Sequence, residues 1–332
     1  MAIRGAVAPQ FVGTGELATV PEAGDLLLGV AYRWLRSDRH FSGDTEHPNR
    51  QVDETEVINN SHFVDLSATY TISPRYSVAL TVPFVYSDRS SLYEHDRINR
   101  HSTEAYGLGD MRIAGYGWVR DPSDNPIWNV SLGLGVKAPT GDYEADDIFH
   151  TLDGPVRRNV DQSIQPGDGG WGVTAEIFAF TRLTPRLAGY VQGFYLSNPR
   201  DTNGADTNRS NPYESVMSVP DQYAARAGLV YAVLPDKGLS VGVGARIDGV
   251  PVRDLIGDSN GFRRPGFSVS VEPGIFWHSA NWAASVTAPI AVYRNRQRSV
   301  ADERFSADTG TFRHGDAAFA DFFITTSITR RF

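Results

Sequence analysis

Apolar and polar residues alternate along twelve segments of the chain: 24–36, 61–72, 76–87, 107–120, 126–138, 170–183, 186–197, 221–234, 238–248, 266–278, 281–294 and 318–332. In the third, Tyr76, Val78, Leu80, Val82, Phe84 and Tyr86 share one face, and Ser77, Ala79, Thr81 and Pro83 the other. In the fifth, Trp128, Val130, Leu132, Leu134 and Val136 stand opposite Asn129, Ser131, Gly133, Gly135 and Lys137. A period of two with one apolar face predicts β-strands whose outer side meets something apolar. Each segment is at least as long as the roughly 9–11 residues a tilted strand needs to cross a bilayer.

The connections alternate in length. Ser73–Arg75, Asp121–Asn125, Thr184–Pro185, Pro235–Lys237 and Ser279–Ala280 are short and carry the Pro, Asp, Asn and Ser of tight turns. Residues 37–60, 88–106, 139–169, 198–220, 249–265 and 295–317 form long loops. The pattern predicts an all-β chain, a transmembrane antiparallel up-and-down β-barrel of about 12 strands. Both termini and the short turns then lie on the periplasmic side, and six long loops face outward. A soluble β-sandwich also alternates, but has little reason to collect its long loops at one end. Phe332 closes the last strand and is read as an assembly signal for the barrel-assembly machinery. Residues 24–332 form the barrel. Residues 1–23 show no strand pattern and are read as a periplasmic tail or a plug of the lumen.

Composition changes this picture little. No stretch of about 18 apolar residues predicts a membrane helix. The mean hydropathy of −0.31 would suggest a soluble chain. That inference fails for barrel strands, which hide lipid-facing residues between polar ones. Cysteine is absent, which excludes disulfides and thiolate metal sites. The net charge of −8 disfavours nucleic acid and lies mostly in the long loops. The expected surroundings are outer-membrane lipid and lipopolysaccharide, and a homo-oligomer is compatible with the pattern. Met1–Gln10 lacks the apolar core of a secretory signal, so the numbering is read as starting at a mature chain with an added Met.

With the apolar face outward, the inward positions include Arg33, Asp65, Asp110, Arg112, Lys137, Glu176, Arg226, Arg246, Asp248, Glu272 and Asp321. None could face hydrocarbon at the bilayer midplane without a cost of about 2–4 kcal/mol for a basic group. These residues are the predicted pore lining. Both signs occur in near balance, which predicts a weakly selective polar pore or a salt-bridged, closed lumen.

Other chemistry is poorly supported. Ser61-His62 and His278-Ser279 lack an Asn or Asp placed to orient the imidazole, so no hydrolase triad is expected. His40, Asp44, Glu46 and His47 in the first long loop, and Asp142, Glu144, Asp146 and Asp147 in the third, are read as solvated acidic surface rather than a metal site. No helix is evident. No cofactor is expected.

Two motifs remain, Gly107-Leu-Gly-Asp110 and Gly133-Leu-Gly-Val-Lys-Ala-Pro-Thr-Gly-Asp142. With Gly24–Tyr32 and Val82-Pro83-Phe84, they resemble strand motifs of the outer-membrane barrels related to the phenol-degradation meta-pathway (MetA-like) family. Read on its own, Pro139-Thr-Gly141 ends a strand and places Lys137 near the outer mouth, where a contact with Asp110 is expected. The resemblance implies a channel for hydrophobic or aromatic small molecules. The function expected is passive passage of small solutes. The alternative is a closed structural or partner-binding barrel that displays its acidic loops.

Overall fold

The computed structural model describes residues 22–332. Twelve strands follow in chain order: β1 Leu26–Ser42, β2 Ile58–Ser73, β3 Tyr76–Ser91, β4 in two parts (His101–Leu108 and Arg112–Trp118), β5 Trp128–Lys137, β6 Gly172–Arg182, β7 Leu187–Ser197, β8 Gln222–Leu234, β9 Leu239–Val250, β10 Gly266–His278, β11 in two parts (Trp282–Thr287 and Ile290–Arg296) and β12 Ala317–Arg331. Each pairs antiparallel with its sequence neighbours, because a short turn can deliver the chain only to an adjacent antiparallel strand. The sheet closes where β12 meets β1, from Leu27 opposite Arg331 to Phe41 opposite Ala317. Closure leaves no free edge, the condition for a sheet to stand in lipid.

The outer surface carries the alternate apolar residues, among them Leu28, Val30, Leu66, Leu80, Phe84, Leu132, Leu134, Val243 and Ile275, all exposed. Their inward neighbours Ser87, Thr81, Ser131, Thr174 and Ser240 are buried. This is the inverse of a soluble protein and fits a lipid-facing belt. Tight turns join the strands at one end. The connection Pro235–Lys237 is closed by Gly238, whose φ of +67° is disfavoured for a residue with a β-carbon.

The strands outrun their hydrophobic pattern at the long-loop end. β1 continues to Ser42, β3 to Ser91, and β4 begins at His101. Beyond the apolar belt both faces of a strand are polar, so the ladder persists where the alternation has stopped. Two strands break. β4 is interrupted between Leu108 and Arg112, where Gly109 still donates its N–H to the Pro83 carbonyl. β11 is interrupted at Ala288-Pro289, since proline has no ladder donor. Above that break β11 pairs with β10 and meets β12 only at Ile290 opposite Phe322. Arg294 bridges the seam, donating to the Ala320 carbonyl at 3.2 Å and to Asp321 at 2.6 Å.

The long loops are structured. Asp146–Thr151 and Gly154–Asn159 form one hairpin, and Thr202–Asp206 pairs with Val216–Ser218. Val300–Thr309 is an α-helix, which corrects the expectation that the chain has none. It starts with a reciprocal capping box between Ser299 and Asp302 and ends at Gly310 in the left-handed region. Its ten residues carry little amphipathic pattern, so only the caps could have announced it.

Candidate functional site

The predicted inward charges on β1, β2, β4–β6 and β8–β10 are gathered inside the barrel, most of them as ion pairs. Arg112 donates to Glu176, which also accepts from the Tyr116 hydroxyl at 3.1 and 3.2 Å. Arg226 donates to Gln192 at 2.7 Å and to Glu272 at 3.3 Å. Arg246 donates to Asp248 at 2.7 Å. Arg33 and Asp65 are inward, and the Nε and Nη2 of Arg33 are buried with no hydrogen-bond partner among the described residues. Asp321 is placed differently. Its side chain is 53% exposed at the β11–β12 seam, held by Arg39 and Arg294.

The inward face is not purely polar. The Arg33 guanidinium lies 4.4 Å over Phe63, Arg246 5.0 Å over Phe323, Arg112 5.6 Å over Phe194 and Arg226 5.9 Å over Tyr190. Every predicted inward arginine thus sits on an inward aromatic ring, which holds its charge beside a π face. Sequence reasoning missed these rings because it assigned apolar residues to the outside. The available signal was parity: Phe63 shares a strand face with Asp65, and Phe194 with Gln192.

The resemblance motifs build a strap across the lumen. Asp110, freed from the ladder by the β4 break, accepts from the Gly141 N–H at 3.0 Å, the Asp168 N–H at 3.1 Å and Lys137 Nζ at 3.2 Å. Lys137 also donates to Asp168. Thr140 Oγ1 donates to the Gly109 carbonyl at 2.8 Å and accepts from the Met111 N–H at 2.9 Å. These bonds hold the return limb of the third long loop inside the barrel, where residues 164–170 are all buried. Ile164 is fully enclosed with Ala105 and Val160.

Two cavities flank this region. Toward the short turns, a vestibule of about 340 Å³ is lined by Leu27, Tyr116, Trp118, Glu176, Phe178 and Phe180. Trp118 packs edge-on against Phe178 and Phe180 at 6.1 and 5.9 Å. Toward the long loops, a chamber of about 190 Å³ is lined by Arg89, Arg209, Arg264, Arg296 and Arg313, with Leu35, Val57, Met217 and Phe262. Asp161 anchors three of these arginines, Arg264 at 2.7 Å, Arg209 at 3.4 Å and Arg89 at 3.6 Å. Burial alone would raise the Asp161 pKa. Arg264 and Arg89 outweigh burial and hold its carboxyl well below the usual carboxylate range. No sequence motif marked this chamber, because its residues come from strand ends and loops far apart in the chain.

Among the described residues no cluster of three or more His, Asp or Glu has the arrangement of a metal site. His40 instead pairs with Asp316 at 2.8 Å and accepts the Val57 N–H at 2.8 Å. His95, His101 and His150 stack in the second and third loops, the last two with ring centroids 4.2 Å apart.

Residues 53–263 match the model of a family named for the MetA pathway of phenol degradation. The chain belongs to this family. Its fold resembles that of an outer-membrane channel of the COG4313 group from Pseudomonas putida F1, with a TM-score of 0.60 and 15% identity over 98% of this chain and 100% of that one. The toluene transporter TodX of P. putida aligns with a TM-score of 0.43 and 8% identity, over 97% and 93% of the two chains. The translocator domain of the autotransporter NalP from Neisseria meningitidis aligns with a TM-score of 0.44 and 10% identity, over 94% and 90%. No curated protein matches the chain. The fold is that of an outer-membrane β-barrel channel, and the family match carries the two motifs that build the strap.

Proposed function

We propose that this protein is a passive channel of the bacterial outer membrane for small solutes with apolar or aromatic bodies. The short turns and both termini face the periplasm, and the long loops face outward. The observation that supports this most strongly is the interior. A packed structural barrel would fill its lumen with side chains, whereas among the described residues two cavities lie on either side of a strap and a layer of charged pairs. Trp118, Phe178 and Phe180 give the vestibule an aromatic wall suited to a ring. The pairs Arg112–Glu176, Arg226–Glu272 and Arg246–Asp248, with Arg33 and Asp65, line the path between the cavities, and Asp110 and Lys137 stand at the strap. Asp321, exposed at the β11–β12 seam, lies outside this path.

Passage needs no energy source, and no enzymatic activity is part of this reading. Phe332 ends the barrel with its N–H on the Leu26 carbonyl at 2.9 Å and an exposed ring, a form suited to recognition by the assembly machinery.

The test is single-channel conductance of detergent-folded protein in a planar bilayer. Small ohmic steps with weak ion selectivity are expected. Glu176→Gln leaves Arg112 without its carboxylate and should shift the reversal potential toward anions. Silence from folded wild-type protein would favour the closed, partner-binding barrel instead.

A further inference from the structure

The outer chamber has a local excess of positive charge that the rest of the lumen lacks. Arg89, Arg209 and Arg264 share only two carboxylates, Asp161 and Glu94. Arg296 and Arg313 are matched by Asp302 and Glu214, and Asp316 by His40 and Arg50. The surplus carboxylate of this end lies on the strap side, where Asp110 and Asp168 share Lys137 and Asp168 itself lines the chamber. The chamber is therefore polarised, with one uncompensated guanidinium in the group around Asp161.

Geometry singles out Arg209. Its Nη2 reaches Asp161 only at a long 3.4 Å, while Arg264 holds the same carboxylate through two bonds of 2.7 and 2.8 Å. Arg209 and Arg264 both rest on Phe262, at 3.8 and 4.6 Å from its centroid. Burial, then the charge of Arg264, push the Arg209 pKa below its ordinary value, as a like-charged neighbour without full compensation must. One buried donor of the chamber lacks an acceptor: Arg296 is fully buried, and its Nε has no hydrogen-bond partner among the described residues. Such groups are costly unless a ligand or ordered water completes them. Leu35, Val57, Met217, Val250 and Phe262 give the lining apolar patches among polar side chains such as Asn59, Gln162 and Gln165.

We propose that the outer chamber is a recognition subsite for small organic monocarboxylates, with Arg209 binding the carboxylate and Phe262 and Met217 contacting the apolar body. A single surplus charge suits a monoanion. A dianion would need a second free cation, and an amine would be repelled. The volume of about 190 Å³ is below the roughly 300–1,000 Å³ of drug-sized pockets, which limits the ligand to about one ring. The subsite rests on the channel reading for its purpose, and its chemistry is tested independently of conduction.

Isothermal titration of the full, detergent-folded chain with benzoate and with benzyl alcohol separates charge from shape. Saturable benzoate binding at least about tenfold tighter than benzyl alcohol is expected, weakened about tenfold or more by Arg209→Gln and by raised chloride. Equal binding of the two ligands, or no saturable benzoate binding, overturns the proposal. Should the variant not fold, the wild-type comparison and its chloride dependence decide alone. Benzoate binding by a barrel that conducts nothing would overturn the channel reading only. Conductance without benzoate preference would overturn only the subsite.

Discussion

Gly141 and Gly167 lie backbone to backbone. A β-carbon on Gly141 would stand 2.7 Å from the Gly167 Cα, and one on Gly167 would stand 2.8 Å from the Gly141 Cα. The first glycine closes the Lys-x-Pro-Thr-Gly motif and the second belongs to the strap, so their contact docks the loop into the lumen. A side chain at either position drives the two backbones apart.

Gly167→Ala is therefore expected to displace the strap and enlarge the passage between chamber and vestibule. Overpacking of this kind costs about 1–3 kcal/mol. Single-channel conductance should rise, and the thermal midpoint should fall. Gly115→Ala is the control, since a β-carbon at Gly115 meets nothing within 4 Å. An unchanged conductance for Gly167→Ala in a folded barrel would show that the strap does not set the constriction.

The Lys137 ammonium holds the carboxylates of Asp110 and Asp168 together, and all three side chains are about nine-tenths buried. Lys137→Met would leave two adjacent carboxylates without a cation. Breaking a buried pair in this way costs about 3–5 kcal/mol. Heat-modifiability on gels or thermal melting should register the loss. Lys137→Met combined with Asp168→Asn should recover part of it, because one of the stranded charges is gone. A double variant as unstable as the single one would place the role of Lys137 elsewhere.

The barrel was legible in the sequence because lipid imposes one chemical requirement on every second residue across twelve strands. Ten of the eleven proposed lining charges lie inside the barrel for the same reason: a charged group on an apolar-alternating strand has only one tolerable face. Asp321 departs because β12 slips in register against β1 between Leu35 and Ser37, where the parity rule no longer holds. The Lys137–Asp110 contact was legible from the motif, but the strap was not. Its anchor is the Asp168 backbone, from a loop with no periodic pattern. The arginine chamber was equally hidden, since Arg89, Arg209 and Arg264 are joined through Asp161, far from each of them in the chain.

The histidine stack gives the outer loops a pH dependence whose sign can be worked out. His95 accepts the His150 N–H at 3.2 Å through Nδ1 and stacks on Phe149 at 5.2 Å. The groups facing it are His101, His150, Glu94 and Asp96. Burial, then the neighbouring His101, push the His95 pKa below the ordinary 6.5. The folded loops therefore bind this proton less readily than the unfolded chain. Their stability is complete above pH 6.5 and falls as the pH drops below it. Protonation also places a second donor where Nδ1 must accept. Hydrogen exchange in residues 92–101 and 146–159 should accelerate between pH 7.5 and 5.5, while the strands of the belt stay protected. His95→Asn retains an acceptor without a titrating ring and should flatten this response. An equally steep response in His95→Asn would show that His95 does not carry the effect.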